Sequence, residues 1–331
     1  GCVALLVLAL GLSDSVRAVA DRLYGSLYAY RTKVILAEGL PQAQLAALTA
    51  RYPGQLIQES AVEISFDGRQ RTGALTVLAP GQGIRFQDVE GNAVALPESG
   101  VALSAKMARL LRVKAGDVLR WRAYGEKEWQ EAVVGALYHT PVGQGIAVSE
   151  ATYKALGFAL KPTALLADGD ASDAAGLAGV QSVQARETLK QSFSAILEGM
   201  EGIIAILILA AAVLGAVVLY NLGSLSFAER TRDLATLKVL GFPQRRIRAL
   251  LHRQNVWLTL LGIALGLPAG YALLGYMLAT ISDASDFMPY VSAPTLVVSV
   301  GATFLLSTLV SLFMARRIRS IDMVSSLKSV E

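Results

Sequence analysis

The 331-residue chain has the composition of a membrane protein. Hydrophobic residues make up 53% of it without counting glycine, whereas soluble domains reach about 45–50% with glycine included. Charged residues are only 17% of the chain, and the formal net charge is +4. A single cysteine and two histidines exclude a disulfide framework and a His/Cys metal cluster. This composition excludes an ordinary soluble enzyme.

The first predicted element is an apolar run over residues 1–13. It is shorter than the roughly 20 residues that cross a bilayer as a helix. One interpretation is the end of a truncated transmembrane helix. The other is the core of a signal peptide, with Ala18-Val19-Ala20 as its cleavage site. We favour the truncated helix because Asp14 and Arg17 interrupt the run, and because a chain that begins without Met is expected to be a fragment.

Residues 14–201 form a predicted extracytoplasmic domain of α+β type. Alternating and β-branched residues predict strands, Asp67-Gly68 predicts a hairpin turn, and good helix formers predict short helices. The predicted strands are 33–36, 56–66, 72–78, 117–123, 129–138 and 163–167. The predicted helices are 42–50, 105–111 and 150–156. We therefore expect an α-helical membrane protein of four transmembrane helices, with this domain inserted between the first and the second.

Apolar residues at both edges of the domain recur at helical spacing and predict two amphipathic stalks. At the C-terminal edge the chain continues into the second span without a helix breaker. The stalk positions of this edge are Leu189, Phe193, Ile196 and Met200. The stalk positions of the N-terminal edge are Val16, Val19, Leu23 and Leu27. The two stripes either pair with each other or pack onto the body of the domain, and we favour pairing.

Three charge-free runs predict complete transmembrane helices over residues 202–228, 255–282 and 287–315. Each run exceeds the roughly 20 residues that span the hydrocarbon core. Within the third helix Gly262, Gly266 and Gly270 form a doubled G-x-x-x-G pattern. Such a pattern lets a second helix approach closely, although glycine is also generally common in membrane helices. We expect these glycines to pack against another helix.

The distribution of Lys and Arg predicts the orientation of the chain in the membrane. The loop 229–254 carries seven basic and two acidic residues, and the tail 316–331 carries four and two. The turn 283–286 holds two aspartates and no base. By the positive-inside rule the loop and the tail are cytoplasmic and the turn is outside. The predicted location is a bacterial plasma (inner) membrane, with several spans and a cytoplasmic C-terminus.

The loop 229–254 has the pattern of a structured coupling loop. Helix formers continue to Leu240, Gly241 is a natural helix stop, and a basic segment leads into the third span. Leu234, Leu237 and Leu240 form an apolar edge on this short helix. The edge either lies on the membrane interface or docks in a groove of a cytoplasmic partner.

These residues resemble the FtsX-like permease family, which includes the MacB-type and lipoprotein-releasing ABC transporter permeases. A second similar segment is 95–121, where a helix and a Gly116-Asp117 turn lead into a strand. The start and end of the chain look like one repeat of a longer permease. The residues that match the coupling segment of the family are Glu229, Arg230, Leu234, Leu237, Leu240 and Gly241.

The resemblance implies a partner ATPase that grips the coupling segment and moves the external domain by mechanotransmission. It implies export or extraction of a lipid, lipoprotein or peptide, with ATP and Mg²⁺ on the partner. The other expected partners are the lipid bilayer, a second permease repeat or a second copy in a homodimer, and an extracytoplasmic lipoprotein or peptide; nucleic acid is not expected. Unlike MacB, the chain has no fused nucleotide-binding domain.

The chain lacks the phosphate-binding loop, the nucleophile elbow and the His-Glu-x-x-His zinc motif. We therefore expect no enzymatic activity, no metal and no cofactor in this chain, and we expect His139 and His252 to be surface or capping residues. An alternative function is an ATPase-driven regulator or sensor of a cell-wall hydrolase or peptide antibiotic. A third is a membrane anchor that has no ATPase.

Overall fold

A computed structural model describes the backbone of residues 1–239 and 244–317. The described residues form seven α-helices and eleven strands. The helices are α1 (Cys2–Arg22), α2 (Gln42–Arg51), α3 (Ala105–Leu111), α4 (Glu150–Ala155), α5 (Arg186–Val239), α6 (Gln244–Thr280) and α7 (Ala293–Arg317). The strands are β1 (Thr32–Leu36), β2 (Gly54–Phe66), β3 (Arg69–Leu78), β4 (Phe86–Gln87), β5 (Ala93–Val94), β6 (Val101–Ser104), β7 (Val118–Ala123), β8 (Gln130–Tyr138), β9 (Gly145–Ser149), β10 (Ala164–Ala167) and β11 (Val180–Ala185).

The chain divides into two compact units. The first, which we call the helical unit, comprises Gly1–Ser15, Gly199–Met277 and the described residues from Pro289 onward. The second, which we call the sheet unit, comprises Val16–Glu198 and Leu278–Met288. The connection between α6 and α7 therefore belongs largely to the sheet unit.

Within the described residues, four helical stretches are long and apolar enough to cross a membrane. They are Cys2–Leu27, Gly202–Asn221, Asn255–Thr280 and Ala293–Leu312. The sheet-rich region lies between the first and the second of them in the chain. The prediction of four apolar helices with a sheet-rich domain between the first and the second is confirmed at this level.

The helix bounds differ from the predicted bounds at two places. The first helix does not stop at Ser13 but continues to Arg22, and one wide π-helical turn, Leu23–Leu27, follows it. Asp14 lies inside this helix, and its carboxylate has a partner in the chain, described below. The predicted turn 283–286 lies inside a longer connection, since α6 ends at Thr280 and α7 begins at Ala293.

Helix α5 is 54 residues long and runs from the end of the sheet region through the apolar stretch into the coupling segment. The sequence predicts that the stalk continues into the second span, because no helix breaker separates them, whereas it predicts a separate short helix in the coupling loop. Helix α6 is 37 residues long and accommodates Pro268 in its interior. The described parts of the coupling loop are therefore the ends of two long helices.

Nine strands form one sheet in the order β11-β1-β10-β2-β3-β9-β6-β8-β7. Strand β2 is 13 residues long and pairs twice on one edge, with β10 near its start and with β7 over Val62–Ser65. The second pairing joins the end of the sheet back to β2. Strands β2, β3, β9, β6, β8 and β7 thereby close a six-stranded barrel, and β10, β1 and β11 extend from it as an open sheet.

The barrel encloses the largest apolar core of the sheet unit. Trp121 and Leu119 of β7 are almost completely buried in it, and α3 and α4 contribute Met107 and Tyr153. A separate cluster lies on the open sheet, where Leu48 of α2 packs near β1 and β10. The sheet unit is thus stabilised by burial of apolar side chains on both parts of its sheet.

All six predicted strands and all three predicted short helices of this region have counterparts in the structure. The β2–β3 hairpin turns at Asp67-Gly68, where both residues have positive φ angles of 46° and 74°, as a type I′ turn requires. Strands β4, β5, β6, β9 and β11 were not predicted. Of these, β6 and β9 are short and mainly buried on both faces, so their side chains do not alternate between apolar and polar.

Candidate functional site

The predicted coupling segment lies where α5 ends and α6 begins. Glu229, Arg230, Leu234 and Leu237 fall on the last turns of α5. Leu240 and Gly241 lie outside the described residues. Because a helix turns by about 100° per residue, positions 234 and 237 share one face of α5. The structure describes the backbone here, so the apolar edge remains a prediction about side chains.

The predicted stalks meet in one apolar cluster of the sheet unit. Val19, Leu23 and Leu27 are buried, and Phe193 of α5 packs against them. Asp21 and Lys190 form an ion pair of 4.0 Å beside this cluster. The structure thus brings Phe193 against three of the four stalk positions of the first helix.

The other stalk residues of α5 contribute less to the described contacts. Leu189 is half-buried. The side chains of Ile196 and Met200 lie outside the described residues. The start of α5 is attached next to the wide turn, because the Arg186 guanidinium donates to the carbonyl oxygen of Tyr28 at 2.9 Å.

Two of the three glycines in the predicted packing pattern face α1 within the helical unit. A β-carbon on Gly266 would collide with Val3, and one on Gly270 would lie 2.8 Å from the carbonyl oxygen of Ala4. A β-carbon on Gly262 would have no neighbour within 4 Å. The close approach of α1 and α6 therefore involves Gly266 and Gly270, and Gly262 lies away from it.

Two further close approaches in the helical unit were not predicted. A β-carbon on Gly11 of α1 would lie 2.7 Å from Leu274, and one on Gly215 of α5 would lie 2.8 Å from Cys2. Single glycines in apolar runs carry no spacing signal, so the sequence could not distinguish these positions from other glycines.

Asp14 and Ser15 of α1 bind the segment that begins α7. The backbone amide of Ser292, the residue before α7, donates to the Asp14 carboxylate at 2.9 Å. The Ser15 hydroxyl accepts from the Tyr290 amide at 3.0 Å and donates to the carbonyl oxygen of Gly11. The first amides of a helix have no partner inside the helix, so this carboxylate supplies an acceptor at the start of α7. Asp14 thus joins two helices of the helical unit.

The buried side of α7 is lined with hydroxyl groups. Thr295, Ser299, Thr303 and Ser307 recur every four residues and are almost fully buried. Ser307 shares a hydrogen bond of 2.6 Å with Thr259 of α6. Hydrogen bonds between hydroxyl groups hold neighbouring helices together in apolar surroundings. This contact joins the third and fourth apolar helices.

His139, which was expected to be a surface or capping residue, is buried, with 2% of its side chain exposed. It follows β8 and lies beneath the connection between α6 and α7, where its Nε2 atom is 3.5 Å from an Asp286 carboxylate oxygen. Burial lowers the pKa of the imidazole, and the charge of Arg22 lowers it further. No local pattern indicates this burial, because the covering residue Asp286 is far away in the chain.

The described residues, 1–239 and 244–317, contain no group of three or more His, Cys, Asp or Glu side chains that could hold a metal ion. The features that these residues do show are close helix packing, one long continuous helix and several ion pairs.

Residues 205–323 match the family model of the FtsX-like permease C-terminal domain. The match begins in the apolar part of α5 and includes the coupling segment, α6 and α7. No curated protein sequence matches the chain. FtsX-like permeases are generally non-catalytic membrane proteins that work with an ATP-binding subunit, which suggests an ABC transporter permease. The resemblance to the FtsX-like permease family is thus confirmed over residues 205–323.

Proposed function

We propose that the chain is a permease subunit, or half of a permease, of a bacterial ABC transporter. A separate ATP-binding subunit hydrolyses ATP and moves the sheet unit by mechanotransmission. The work done is the export or extraction of a lipid, lipoprotein or peptide. The chain itself carries no catalytic site and binds no cofactor, while ATP and Mg²⁺ are bound by the partner.

The observation that carries this proposal is the continuity of α5. One helix of 54 residues connects the stalk position Phe193 with the coupling positions Leu234 and Leu237. A helix rises about 1.5 Å per residue, so a displacement at one end of an unbroken helix is carried along its length. A flexible linker at the end of the apolar stretch would not support this mechanism.

The second support is the contact that α5 makes in the sheet unit. Phe193 packs on the buried side chains of Val19, Leu23 and Leu27. A movement of the first turns of α5 therefore acts on a packed apolar cluster. We propose that this cluster is the point at which movement of the helix reaches the domain.

The orientation that we propose follows from the charges. The coupling loop and the tail are rich in Lys and Arg, whereas Asp283 and Asp286 lie in the connection between α6 and α7. The basic segments are therefore cytoplasmic, and the sheet unit is extracytoplasmic at a bacterial plasma (inner) membrane. A second permease repeat or a second copy of this chain completes the transporter.

The orientation is tested by labelling single cysteines in intact cells. Cys2 is the only cysteine, so it is replaced by alanine, and either Glu128→Cys or Arg245→Cys is added. Glu128 is exposed in the sheet unit, and Arg245 lies in the basic loop. A membrane-impermeant maleimide should label position 128 and should label position 245 only after lysis. The reverse pattern would overturn the proposed orientation.

The partner is tested by co-purification of the full chain with an ABC ATP-binding subunit encoded next to it. We expect the two to purify as a complex in detergent. If no ATP-binding subunit associates, the chain is better explained as a membrane anchor. If a cell-wall hydrolase instead binds to the sheet unit, and no release of lipid or lipopeptide from vesicles is measured, the chain is better explained as a regulator.

A further inference from the structure

The connection between α6 and α7 is fixed to the sheet unit by several independent contacts. We propose that Leu278–Met288, including the last residues of α6, is a permanent part of the sheet unit and does not detach from it during function. The third apolar helix is then a second connection, besides the stalks, through which the sheet unit and the membrane helices move together. The attachment stands on contacts in the structure, whereas the role in movement rests on the proposed function.

The first contact is made by a buried lysine of α3 that binds the end of α6. Lys106 of α3 is only 6% exposed. Its ammonium group donates to the carbonyl oxygens of Ala279 at 3.4 Å, Ser282 at 2.6 Å and Ser285 at 2.5 Å. An ammonium group has three donors and no acceptor, so these three oxygens use its full capacity.

The position of this lysine suits the chemistry of a helix end. The last carbonyl groups of a helix have no partner inside the helix, and they form the negative end of the helix dipole. Ala279 belongs to the last turn of α6. A cation at this place therefore satisfies unpaired oxygens and interacts favourably with the dipole.

The second contact is centred on Asp286. The Arg109 guanidinium, also from α3, lies 2.7 Å and 2.8 Å from its two carboxylate oxygens. The backbone amide of Asp286 donates to the carbonyl oxygen of Pro141 at 2.9 Å. Val142 and Ser285 form an isolated antiparallel bridge next to it. The connection is thus held by both side-chain and backbone hydrogen bonds.

The third contact is apolar. Phe287 packs against the cluster of Val19, Leu23 and Leu27, the same cluster that receives Phe193 of α5. Met288 approaches the Arg22 guanidinium at 3.7 Å. The end of α1, the start of α5 and the connection after α6 therefore share one apolar cluster inside the sheet unit.

These contacts favour a permanent attachment over a contact that opens and closes. Detachment would break the three hydrogen bonds of the Lys106 ammonium group described above. It would also remove Phe287 from its apolar cluster. A contact that opens during a reaction cycle is usually drawn from weakly packed, exposed regions, whereas Lys106, His139 and Asp286 are all shielded from solvent.

The attachment is tested by amide hydrogen exchange on the full chain in lipid nanodiscs. We expect the peptide 281–288 to exchange as slowly as the strands β2 and β3. The variant Lys106→Met should raise its exchange rate by about tenfold or more and leave β2 and β3 unchanged. Lys114→Met is the matched control, because Lys114 is exposed.

Fast exchange of 281–288 in the wild-type chain would overturn the attachment. If Lys106→Met also loosens β2 and β3, the variant has unfolded the domain. In that case the variant Arg109→Gln is used instead, because the Arg109 side chain is exposed. It should raise the exchange rate of 281–288 and leave β2 and β3 unchanged. Unchanged exchange in that variant would likewise contradict the proposal.

Permanence is tested by a disulfide across the bridge of Val142 and Ser285. Residues facing each other in an antiparallel pair have Cα atoms about 4.5–5.5 Å apart, within the range that a disulfide spans. In a Cys2→Ala background, Val142→Cys and Ser285→Cys are oxidised in the complex with the ATP-binding subunit. We expect ATP-driven activity to stay within about twofold of the reduced protein.

Activity that is lost on oxidation and regained on reduction would show that the contact must open, and would contradict the proposal. Absence of ATP-driven activity in the reduced protein as well would instead contradict the proposed function. Hydrogen exchange would then still decide the attachment, since that measurement requires no ATPase.

Discussion

Gly270 of α6 lies against the backbone of Ala4 in α1. A β-carbon on Gly270 would be 2.8 Å from the carbonyl oxygen of Ala4 and 2.9 Å from its Cα atom. Both distances are shorter than a β-carbon can tolerate, and the obstructing atoms belong to a backbone that cannot rotate away. The absence of a side chain at position 270 is therefore a condition for this helix pair.

Replacement of Gly270 by leucine should destabilise the helical unit. Overpacking at a close contact costs about 1–3 kcal/mol. The matched control is Gly262→Leu. Gly262 belongs to the same G-x-x-x-G pattern, but a β-carbon at this position would have no neighbour within 4 Å. Thermal unfolding in detergent should show a lower midpoint for the first variant only. Equal midpoints would show that α1 and α6 do not pack through Gly270.

Replacement of Asp14 by alanine should weaken the start of α7. Removing the acceptor for an unpaired amide at a helix start costs about 0.5–2 kcal/mol. Asp21→Ala is the control, since its carboxylate is 76% exposed and its ion pair with Lys190 is long, and such pairs contribute about 1 kcal/mol or less. The free energy of unfolding, measured by denaturant titration, should fall more for Asp14. A larger loss for Asp21 would contradict the interaction with Ser292.

Leu23 and Phe193 should be energetically coupled, because they belong to one apolar cluster. Leu23→Ala should cost about 2–5 kcal/mol, as for other buried leucines. A double-mutant cycle with Phe193→Ala should give a coupling energy of about 0.5–3 kcal/mol. The control cycle pairs Leu23→Ala with Gln191→Ala, whose side chain is exposed, and should give none. Additive effects in both cycles would show that the stalks do not pair.

The stability of the sheet unit should decrease as the pH falls through the ordinary titration range of histidine. Burial lowers the pKa of His139 below its usual 6.5, the charges of Arg22 and Arg109 act in the same direction, and Asp286 opposes them. A group with a lowered pKa in the folded state binds fewer protons there than in the unfolded state. The contribution of His139 to stability is therefore fully present above about pH 6.5 and decreases as the pH falls below it.

This pH dependence should be reduced in the variant His139→Gln. Thermal midpoints measured between about pH 7.5 and pH 5.5 should fall more steeply for the wild-type chain than for the variant. The other histidine, His252, is present in both proteins and cancels in the comparison. Identical slopes would show that His139 does not titrate in a buried site.

The elements with a strong periodic signal could be predicted from the sequence. Charge-free runs identified the apolar helices, and alternation identified strands such as β2 and β7. Strands β6 and β9 were not predicted, because both of their faces are mainly buried and their side chains therefore do not alternate between apolar and polar. The closure of the barrel by the pairing of Val62 with Ala123 is a contact between distant residues, and no local pattern specifies it.

The same limit applies to the attachment of the connection after α6. Lys106 and Ser282 are separated by 176 positions in the chain, and a lone lysine on a short helix is ordinarily a solvated residue. Asp283 and Asp286 are evident in the sequence as an acidic turn, and their charge indicated only the orientation of the chain in the membrane. Their partners Arg71 and Arg109 became visible only in the folded chain.

Under the proposed function, a separate ATP-binding subunit acts on this chain through the coupling segment. The most direct test measures ATP hydrolysis by that subunit in proteoliposomes, with the wild-type chain, with Leu237→Asp or with Thr236→Asp. The two variants add the same charge about 100° apart on one helix. We expect the wild-type chain and the Thr236→Asp variant to raise the rate of ATP hydrolysis. With Leu237→Asp the rate should equal that of the ATP-binding subunit alone. Equal rates with all three chains would contradict coupling through this face of α5.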